Sequence, residues 1–230
     1  MFTLAITTYN RPGDTIKAFE KVIGHPKISE VLIQDDKSDL DNLGKLGNLL
    51  LDYISDKKMR LIINDENVGM GINKFKAIGN ATNDWVIIFD SDNVIDSDYL
   101  DAIPDNLNPD VIYCPSYAKP TFDYRRFQGK NIDSQMAKRI VKDSFGEALF
   151  NTCNYLVHKE TYCKVFSMDE GIKATDTIQF NYKWLASGRS FFVVPKMHYF
   201  HKVWEGSGFL QDAEYNMKKA KEYKDKILSL

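Results

Sequence analysis

The chain has 230 residues, of which 43% are hydrophobic and 27% are charged, and its formal net charge is −2 at pH 7. These values are typical of an ordinary globular protein with one domain. The weak negative charge supplies no overall basic field, so nucleic acid is not an expected partner.

The cysteine pattern indicates free thiols. Cys114, Cys153 and Cys163 are odd in number and lack C-x-x-C spacing, which is typical of a reducing compartment. No apolar run reaches the roughly 18 residues of a membrane span, and no secretory leader precedes the first predicted strand. We therefore expect a cytoplasmic protein without a transmembrane segment.

Strands and helices alternate regularly through the first part of the chain. Apolar runs predict strands at 2–8, 31–34, 60–64 and 85–89, and helices lie between them. The helix before the fourth strand has Ile72, Phe75 and Ile78 as its predicted inward face. Such alternation predicts an α/β protein with a doubly wound, mostly parallel central sheet flanked by helices.

The fourth strand ends in two carboxylates. Five apolar residues, Trp85 to Phe89, predict a strand buried on both faces, followed by Asp90 and Asp92. Carboxylates at the carboxyl end of a central strand reach the ligand crevice of an open sheet, where a hard divalent cation would offset their repulsion. For the triplet Asp90-Ser91-Asp92 considered alone, a solvated turn is about as good an explanation as a metal site.

Two other readings of the triplet fit poorly. An EF-hand loop requires Asp or Asn and then Gly where this chain has Val94 and Ile95. A phosphatase of the haloacid-dehalogenase type carries a similar motif after its first strand, whereas three strand-helix units precede Asp90 here. Asp96 and Asp98 are interpreted as the N-terminal cap and first turn of a helix at 98–103, with no catalytic role.

Polar clusters follow three of these strands, at Thr8–Arg11, Asp35–Asp39 and Asp90–Asn93. Because the carboxyl ends of parallel strands lie on one edge, these clusters should converge on one cleft. The segment 67–71 (Asn-x-Gly-x-Gly) lacks the third glycine of a dinucleotide fingerprint, so its glycines are interpreted as turn residues.

With these motifs the chain resembles the inverting glycosyltransferases of family 2, which have the GT-A fold. The resemblance covers about the first 115 residues and is carried by Thr7–Arg11, Asp35-Asp36 with Ser38 and Asp39, Asn67-x-Gly69 and Phe89–Asp92. It implies one GT-A domain over 1–230, with a nucleotide-sugar-binding half at 1–115 and a smaller acceptor-binding half at 116–230. It also implies a nucleotide-sugar donor and a glycan or other hydroxyl acceptor.

The resemblance further implies roles for single residues. Those expected to contact the nucleotide sugar are Thr8, Tyr9, Arg11, Asp36, Lys74, Asp90, Ser91 and Asp92. Asp36 would accept a hydrogen bond from the base, which favours UDP or GDP over ADP, and Lys74 would approach the diphosphate. Asp92, assisted by Asp90 and by His201 as a third ligand, would hold Mn²⁺ or Mg²⁺. The chain departs from the family in having Lys37 where Gly is common and Lys74 where Arg is common.

Regular alternation stops after Cys114. Further strands are predicted at 150–157 and 190–194, a helix runs through Phe180 and Trp184, and a last helix covers 212–230. Asn154 is expected near the acceptor side. The aromatic and basic segment 115–130 suits either a solvated loop with tucked rings or a sugar-stacking surface.

Asp176 has two open interpretations. Its position suits a helix N-cap, and the family places its acidic catalytic base at the same point.

The segment after His198 contains His201, followed by Trp204 where relatives often have a second His. It continues with Gly206 to Gly208, of which Ser207 and Gly208 could close over the diphosphate. The rival functions are a sugar nucleotidyltransferase and a non-catalytic nucleotide- or sugar-binding module.

Overall fold

The fold is described from a computed structural model that covers residues 1–53, 58–202 and 207–230. The strands are β1 (Phe2–Thr8), β2 (Ile28–Asp35), β3 (Met59–Ile63), β4 (Trp85–Asp90), β5 (Val111–Lys119), β6 (Phe122–Asp123), β7 (Asn131–Ile132), β8 (Leu156–His158) and β9 (Ser190–Phe200). The helices are α1 (Pro12–Phe19), α2 (Leu40–Leu50), α3 (Met70–Asn80), α4 (Ser97–Asp101), α5 (Ser134–Ile140), α6 (Ser144–Phe150), α7 (Lys159–Val165), α8 (Asp176–Ala186), α9 (Gly208–Gln211) and α10 (Ala213–Leu228). No described helix has both the length and the apolar character needed to cross a membrane.

One mixed sheet contains all of these strands. Its order is β3-β2-β1-β4-β8-β5-β9-β7, with β6 paired to β5. The first four strands pair in parallel, as predicted from the alternation. In the other half, β8 runs antiparallel to both β4 and β5, and β5 pairs in parallel with β9. The α/β architecture is therefore confirmed, with the parallel character concentrated in the first half.

The core lies on both faces of this sheet. Along β4, Val86 and Ile88 belong to one hydrophobic cluster, whereas Ile87 and Phe89 belong to the other. Successive side chains of a strand point to opposite faces, so an unbroken apolar run requires cover on both sides. The prediction of a doubly buried strand ahead of Asp90 is confirmed.

The second half differs from the sequence prediction at two strands. The strand predicted at 150–157 is wrong over most of its length, because α6 extends to Phe150 and β8 begins only at Leu156. Between them Asn154 has a positive φ of 66°, which lies outside the extended region of a regular strand. The strand predicted at 190–194 instead continues to Phe200, so His198 lies within it.

The predicted inward face of α3 is also partly wrong. Phe75 and Ile78 pack on the core, but Ile72 is 37% exposed. Its position in the first turn of α3 places it on the wall of the cleft described below.

A buried carboxylate ties β1, β2 and β3 together and gives the fold a pH dependence. Glu30 accepts hydrogen bonds from Thr3, Thr82 and Arg60. Burial alone would raise the pKa of Glu30, but these hydrogen bonds outweigh it and hold the pKa below its ordinary value.

The lowered pKa of Glu30 predicts a loss of stability in acid. A carboxyl with a lower pKa in the folded state stabilises the fold above its unfolded pKa, and this stabilisation is lost as the pH falls through the folded value. We expect Glu30→Gln to lower the free energy of unfolding by about 1.5–3 kcal/mol at pH 7 and by less at pH 4. Urea titration at both pH values measures this, with the exposed Glu66→Gln as control. An equal loss at both pH values would contradict the prediction.

Candidate active site

A cleft of about 1120 Å³ opens at the carboxyl ends of β1, β2 and β4. The predicted site residues all line it: Thr8, Tyr9, Arg11, Asp36, Lys74, Asp90, Ser91, Asp92, Asp176 and His201. They come from segments far apart in the sequence, so the convergence expected from strand order is present. Their individual roles stay predictions.

Asp90 is held from three sides. Its backbone N–H donates to Asn154 Oδ1 at 2.8 Å, and the Cys153 thiol donates to its Oδ2 at 2.9 Å. Lys74 Nζ lies 3.6 Å from its Oδ1. Burial would raise the pKa of Asp90, but Lys74 and the thiol outweigh it, so the pKa is lowered and the carboxylate is ionised. The sequence did not predict that Cys153 and Asn154 support Asp90. Both contacts require that the strand predicted at 150–157 begins only at Leu156, so that Asn154 can form a left-handed turn.

Asp92 forms an ion pair with Arg11. Arg11 Nη1 lies 2.7 Å from Asp92 Oδ2, and both side chains are largely buried. Arg11 precedes α1 and Asp92 follows β4, which are brought together by the parallel pairing of β1 with β4. The structure thus places a cation on the carboxylate that was predicted to bind metal.

His201 fits a role as metal ligand. Its Nδ1 is buried and has no hydrogen-bond partner among the described residues. Burial lowers the pKa of His201 despite the nearby Asp92 and Asp90, so the imidazole is neutral at pH 7 and has a lone pair to donate. Carboxylate oxygens with one imidazole nitrogen are a donor set that Mn²⁺ accepts readily. The residues present therefore fit the predicted cation.

A second group of side chains, outside the cleft, lies close enough together to bind a metal ion. Among the described residues, Asp96, Asp98 and His198 are the only group of three or more His, Cys, Asp or Glu side chains whose ligand atoms all lie within 4.8 Å of one another. Asp96 occupies the N-cap position of α4 as predicted, but its side chain forms no capping hydrogen bond. This group does not line the cleft. In the cleft, Asp90 is held by Lys74 and Asp92 by Arg11, and these two carboxylates do not form such a group with His201.

Asp176 is buried at the start of α8 and is only 5% exposed. The N-cap residue is Thr175, so the interpretation of Asp176 as a side-chain cap is wrong. Its Oδ2 instead accepts from Lys74 Nζ at 2.9 Å. Burial opposes the charge on Lys74, but Asp176 and Asp90 together raise its pKa well above the ordinary value. Lys74 thus links the predicted base to the predicted metal ligands.

Gly71 permits this close approach of α3 and α8. A Cβ at this position would lie 1.9 Å from Met168 Cε and 2.9 Å from the Cβ of Asp176. Gly69, with φ of 82°, is the turn residue that precedes α3, as predicted. Gly71 lies inside the helix, so its interpretation as a turn residue is wrong, since tertiary contact rather than backbone conformation requires the glycine.

Asp36 holds the turn before α3. Its Oδ1 accepts from the Val68 N–H at 2.8 Å and from Asn64 Nδ2 at 2.9 Å, and its Oδ2 accepts from the Gly69 N–H at 2.9 Å. A carboxylate oxygen can accept two hydrogen bonds, so Oδ2 keeps capacity for a ligand. Asp36 therefore orders one wall of the cleft, a contribution that the sequence did not indicate.

The aromatic segment at 115–130 is mostly structural. Tyr124 is buried and hydrogen-bonds Thr152, and Arg125 stacks over the Tyr117 ring at 4.6 Å. Within this segment only Phe122 lines the cleft. Ser207 also lines it, whereas Trp204 and Gly206 lie outside the described residues.

Comparisons with known proteins agree with this architecture. The model of glycosyl transferase family 2 matches residues 3–167. No curated protein matches the sequence. Residues 1–349 of TarS from S. aureus, in complex with UDP-GlcNAc, superpose with a TM-score of 0.69 at 16% identity, covering 99% of this chain and 70% of that one.

Two further solved structures share the fold. The mannosyltransferase PcManGT from Pyrobaculum calidifontis, in complex with GDP-Man and Mn²⁺, has a TM-score of 0.66 at 14% identity, with 96% of this chain and 64% of that chain covered. GalNAc-T7 with UDP, GalNAc and Mn²⁺ has a TM-score of 0.66 at 13% identity, with coverage of 87% and 43%. The family match spans more than half of the sequence and the fold is that of GT-A enzymes, so the chain belongs to glycosyl transferase family 2.

Proposed function

We propose that this chain is a metal-dependent glycosyltransferase that moves a sugar from a nucleoside-diphosphate sugar, preferably of UDP, to an acceptor hydroxyl with inversion. We further propose that it works as one domain, with 1–115 binding the donor and 116–230 binding the acceptor. The similar structures named above hold UDP-GlcNAc, GDP-Man with Mn²⁺, or UDP with Mn²⁺. Those ligands belong to the other proteins and support a donor of this class here.

The carboxylates at the end of β4 and the start of α8 carry the proposal of metal dependence. Three carboxylates, Asp90, Asp92 and Asp176, face two cations, Arg11 and Lys74, which are already paired with them. A donor diphosphate placed beside these three carboxylates would be repelled by them, and this repulsion is costly at a low effective dielectric constant. A divalent cation on Asp92, Asp90 and His201 would offset that charge and stabilise the nucleoside diphosphate as it leaves.

Asp176 is suited to remove the acceptor proton. It is a buried carboxylate that lines the cleft and begins α8, in the half of the chain proposed to bind the acceptor. As the acceptor oxygen attacks the anomeric carbon, its proton passes to Asp176, and the bond from that carbon to the diphosphate oxygen breaks. One displacement from the opposite face inverts the anomeric configuration. Lys74 Nζ donates a hydrogen bond to Asp176 Oδ2 at 2.9 Å and thereby holds the carboxylate in place.

Turnover of nucleotide sugars tests the proposal. UDP-sugars and GDP-sugars are incubated with the protein in Mn²⁺ and in chelator, and release of the nucleoside diphosphate is measured. We expect release only with the metal. A nucleotidyltransferase would instead release pyrophosphate from a nucleoside triphosphate and a sugar phosphate. A binding module would release nothing while binding the nucleotide.

Base recognition gives a second measurement. We expect Asp36→Ala to weaken UDP binding by about 1.5–3 kcal/mol, the range for a hydrogen bond that involves a charged group. The loss includes the ordering of Val68 and Gly69 by Asp36. Calorimetry with UDP, GDP and ADP in Mn²⁺ measures it, with the exposed Asp41→Ala as control. An unchanged UDP affinity would place the base pocket elsewhere.

A further inference from the structure

Part of the cleft lining is aliphatic. Six side chains form this wall, which we call the aliphatic wall: Met70, Ile72, Met168, Ile172, Leu210 and Met217. Met217 is 58% exposed and Leu210 is 48% exposed, although both face a cleft rather than the outer surface. Apolar side chains that are exposed together in one groove indicate a binding surface, whereas single exposed apolar residues scattered over a protein do not.

The aliphatic wall adjoins the candidate base. Met168 lies against Gly71, and the Cβ of Asp176 approaches the same glycine. Ile172 belongs to the loop that leads into α8, whose first residue is Asp176. An acceptor whose hydroxyl reaches Asp176 can therefore contact this wall.

The chemistry of the wall favours a hydrocarbon chain. Among the described residues of the second half of the chain that line the cleft, the aromatic ones are Phe122 and Phe209, and both are partly buried. Flat exposed rings, which would cover the face of a sugar, are therefore few among these residues. Methionine and leucine side chains are flexible and adapt to an irregular aliphatic surface.

A basic helix borders the wall. Helix α10 carries five lysines and three acidic residues. Lys219 pairs with Glu222 and Lys224 pairs with Glu147, but Lys221 lines the cleft without an ion-pair partner among the described residues. An unpaired ammonium beside an apolar wall complements an anionic group joined to an aliphatic chain.

We propose that the acceptor is an amphiphile, in which the hydroxyl-bearing part is joined through an anionic group such as phosphate to an aliphatic chain. This inference rests on the proposed glycosyl transfer, because it assigns the acceptor of that reaction. The chain lies on the aliphatic wall, the anionic group lies near Lys221, and the hydroxyl reaches Asp176.

Binding of defined probes tests this assignment. n-Octyl phosphate, ethyl phosphate and n-octyl β-glucoside are titrated into the protein saturated with UDP and Mn²⁺. Burial of a methylene contributes at most about a fourfold gain in affinity, so we expect a gain of roughly twofold to fourfold per methylene from ethyl to octyl phosphate. UDP binding is measured in the same protein, so failure of the donor site is detected separately.

Two variants, each with a matched control, test where octyl phosphate binds. Met217→Gln should weaken octyl phosphate roughly 5–10-fold and leave UDP binding unchanged, whereas Leu40→Gln, at a residue that is 85% exposed outside the cleft, should have no effect. Lys221→Glu should weaken octyl phosphate roughly 3–10-fold at low ionic strength without weakening octyl glucoside. Lys218→Glu, exposed on the same helix but outside the cleft, is its control.

Three outcomes would overturn the inference. They are an affinity independent of chain length, an octyl phosphate affinity unchanged by Met217→Gln, and a protein dimer in sedimentation that Met217→Gln dissociates. The last would show that the aliphatic wall is covered by a second copy of the chain.

Discussion

Asp176→Asn is expected to lower kcat by about 10²–10⁴-fold while the affinity for the donor nucleotide stays nearly constant, because a general base acts in the chemical step. Asp176 lines the cleft from the second half of the chain, far in sequence from the motifs that are expected to bind the nucleotide. Steady-state turnover together with calorimetry of UDP and Mn²⁺ separates these effects. Near-normal turnover would show that Asp176 is not the base.

The structure changes the stability that is expected for Asp176→Asn. As a helix cap, Asp176 could be replaced by Asn with little loss of stability, but it is the buried partner of Lys74. Loss of one partner of a buried pair typically costs about 3–5 kcal/mol, and we expect the low end because Asp90 still faces Lys74. Thermal unfolding measures this cost. Activity is then compared at a temperature where both proteins are folded.

Two acidic residues shortly before Asp176 in the sequence, Asp169 and Glu170, can be tested as alternative bases in the same series. Asp169 is held by Lys183 and Tyr223, and Glu170 is exposed. Neither residue lines the cleft. Glu170→Gln is therefore a matched control for Asp176→Asn, and its kcat should be unchanged. A large fall in kcat for Glu170→Gln alone would move the base to Glu170.

Asp92→Asn is expected to abolish the metal-dependent part of nucleotide binding. In Mn²⁺ the affinity for UDP should fall by at least about 10²-fold and approach the value measured in chelator. The amide keeps the shape of the side chain but removes the charge that offsets a divalent cation. Calorimetric titrations with and without chelator give both affinities. An affinity in Mn²⁺ equal to that of the unaltered protein would remove Asp92 from the metal site.

Asp98→Asn is the control that locates the metal. The group of Asp96, Asp98 and His198 lies outside the cleft but has the tighter geometry for a cation. If the metal that supports nucleotide binding sits on Asp92, Asp98→Asn leaves the UDP affinity in Mn²⁺ unchanged. A loss in Asp98→Asn with none in Asp92→Asn would assign the metal to the outer group.

Much of the first half of the fold could be predicted from local patterns. The apolar run before Asp90 required burial on both faces, and the regular alternation of strands and helices required a parallel arrangement of β1 to β4. The gathering of Thr8, Asp36 and Asp90 in one cleft followed from the common direction of those strands. These conclusions depend on hydrophobic periodicity and on the order of strands and helices, both of which can be read directly from a sequence.

The second half depended on contacts that have no local pattern. β8 is short because Asn154 turns the chain so that Asn154 and Cys153 can hold Asp90. β9 continues past the predicted end through its pairing with β5. The apolar residue Ile72 is exposed because it faces a cleft rather than the core. Burial and pairing of this kind are set by distant segments.

The sequence by itself determined the family, the parallel half-sheet and the set of polar residues that meet in the cleft. Only the tertiary structure decided how these residues are paired. Arg11 lies on Asp92, Lys74 bridges Asp90 and Asp176, and Asp36 holds the turn at Gly69. The physical reason is that the strength of a charge interaction depends on distance and burial, and for side chains up to 102 positions apart both are fixed only by the folded chain.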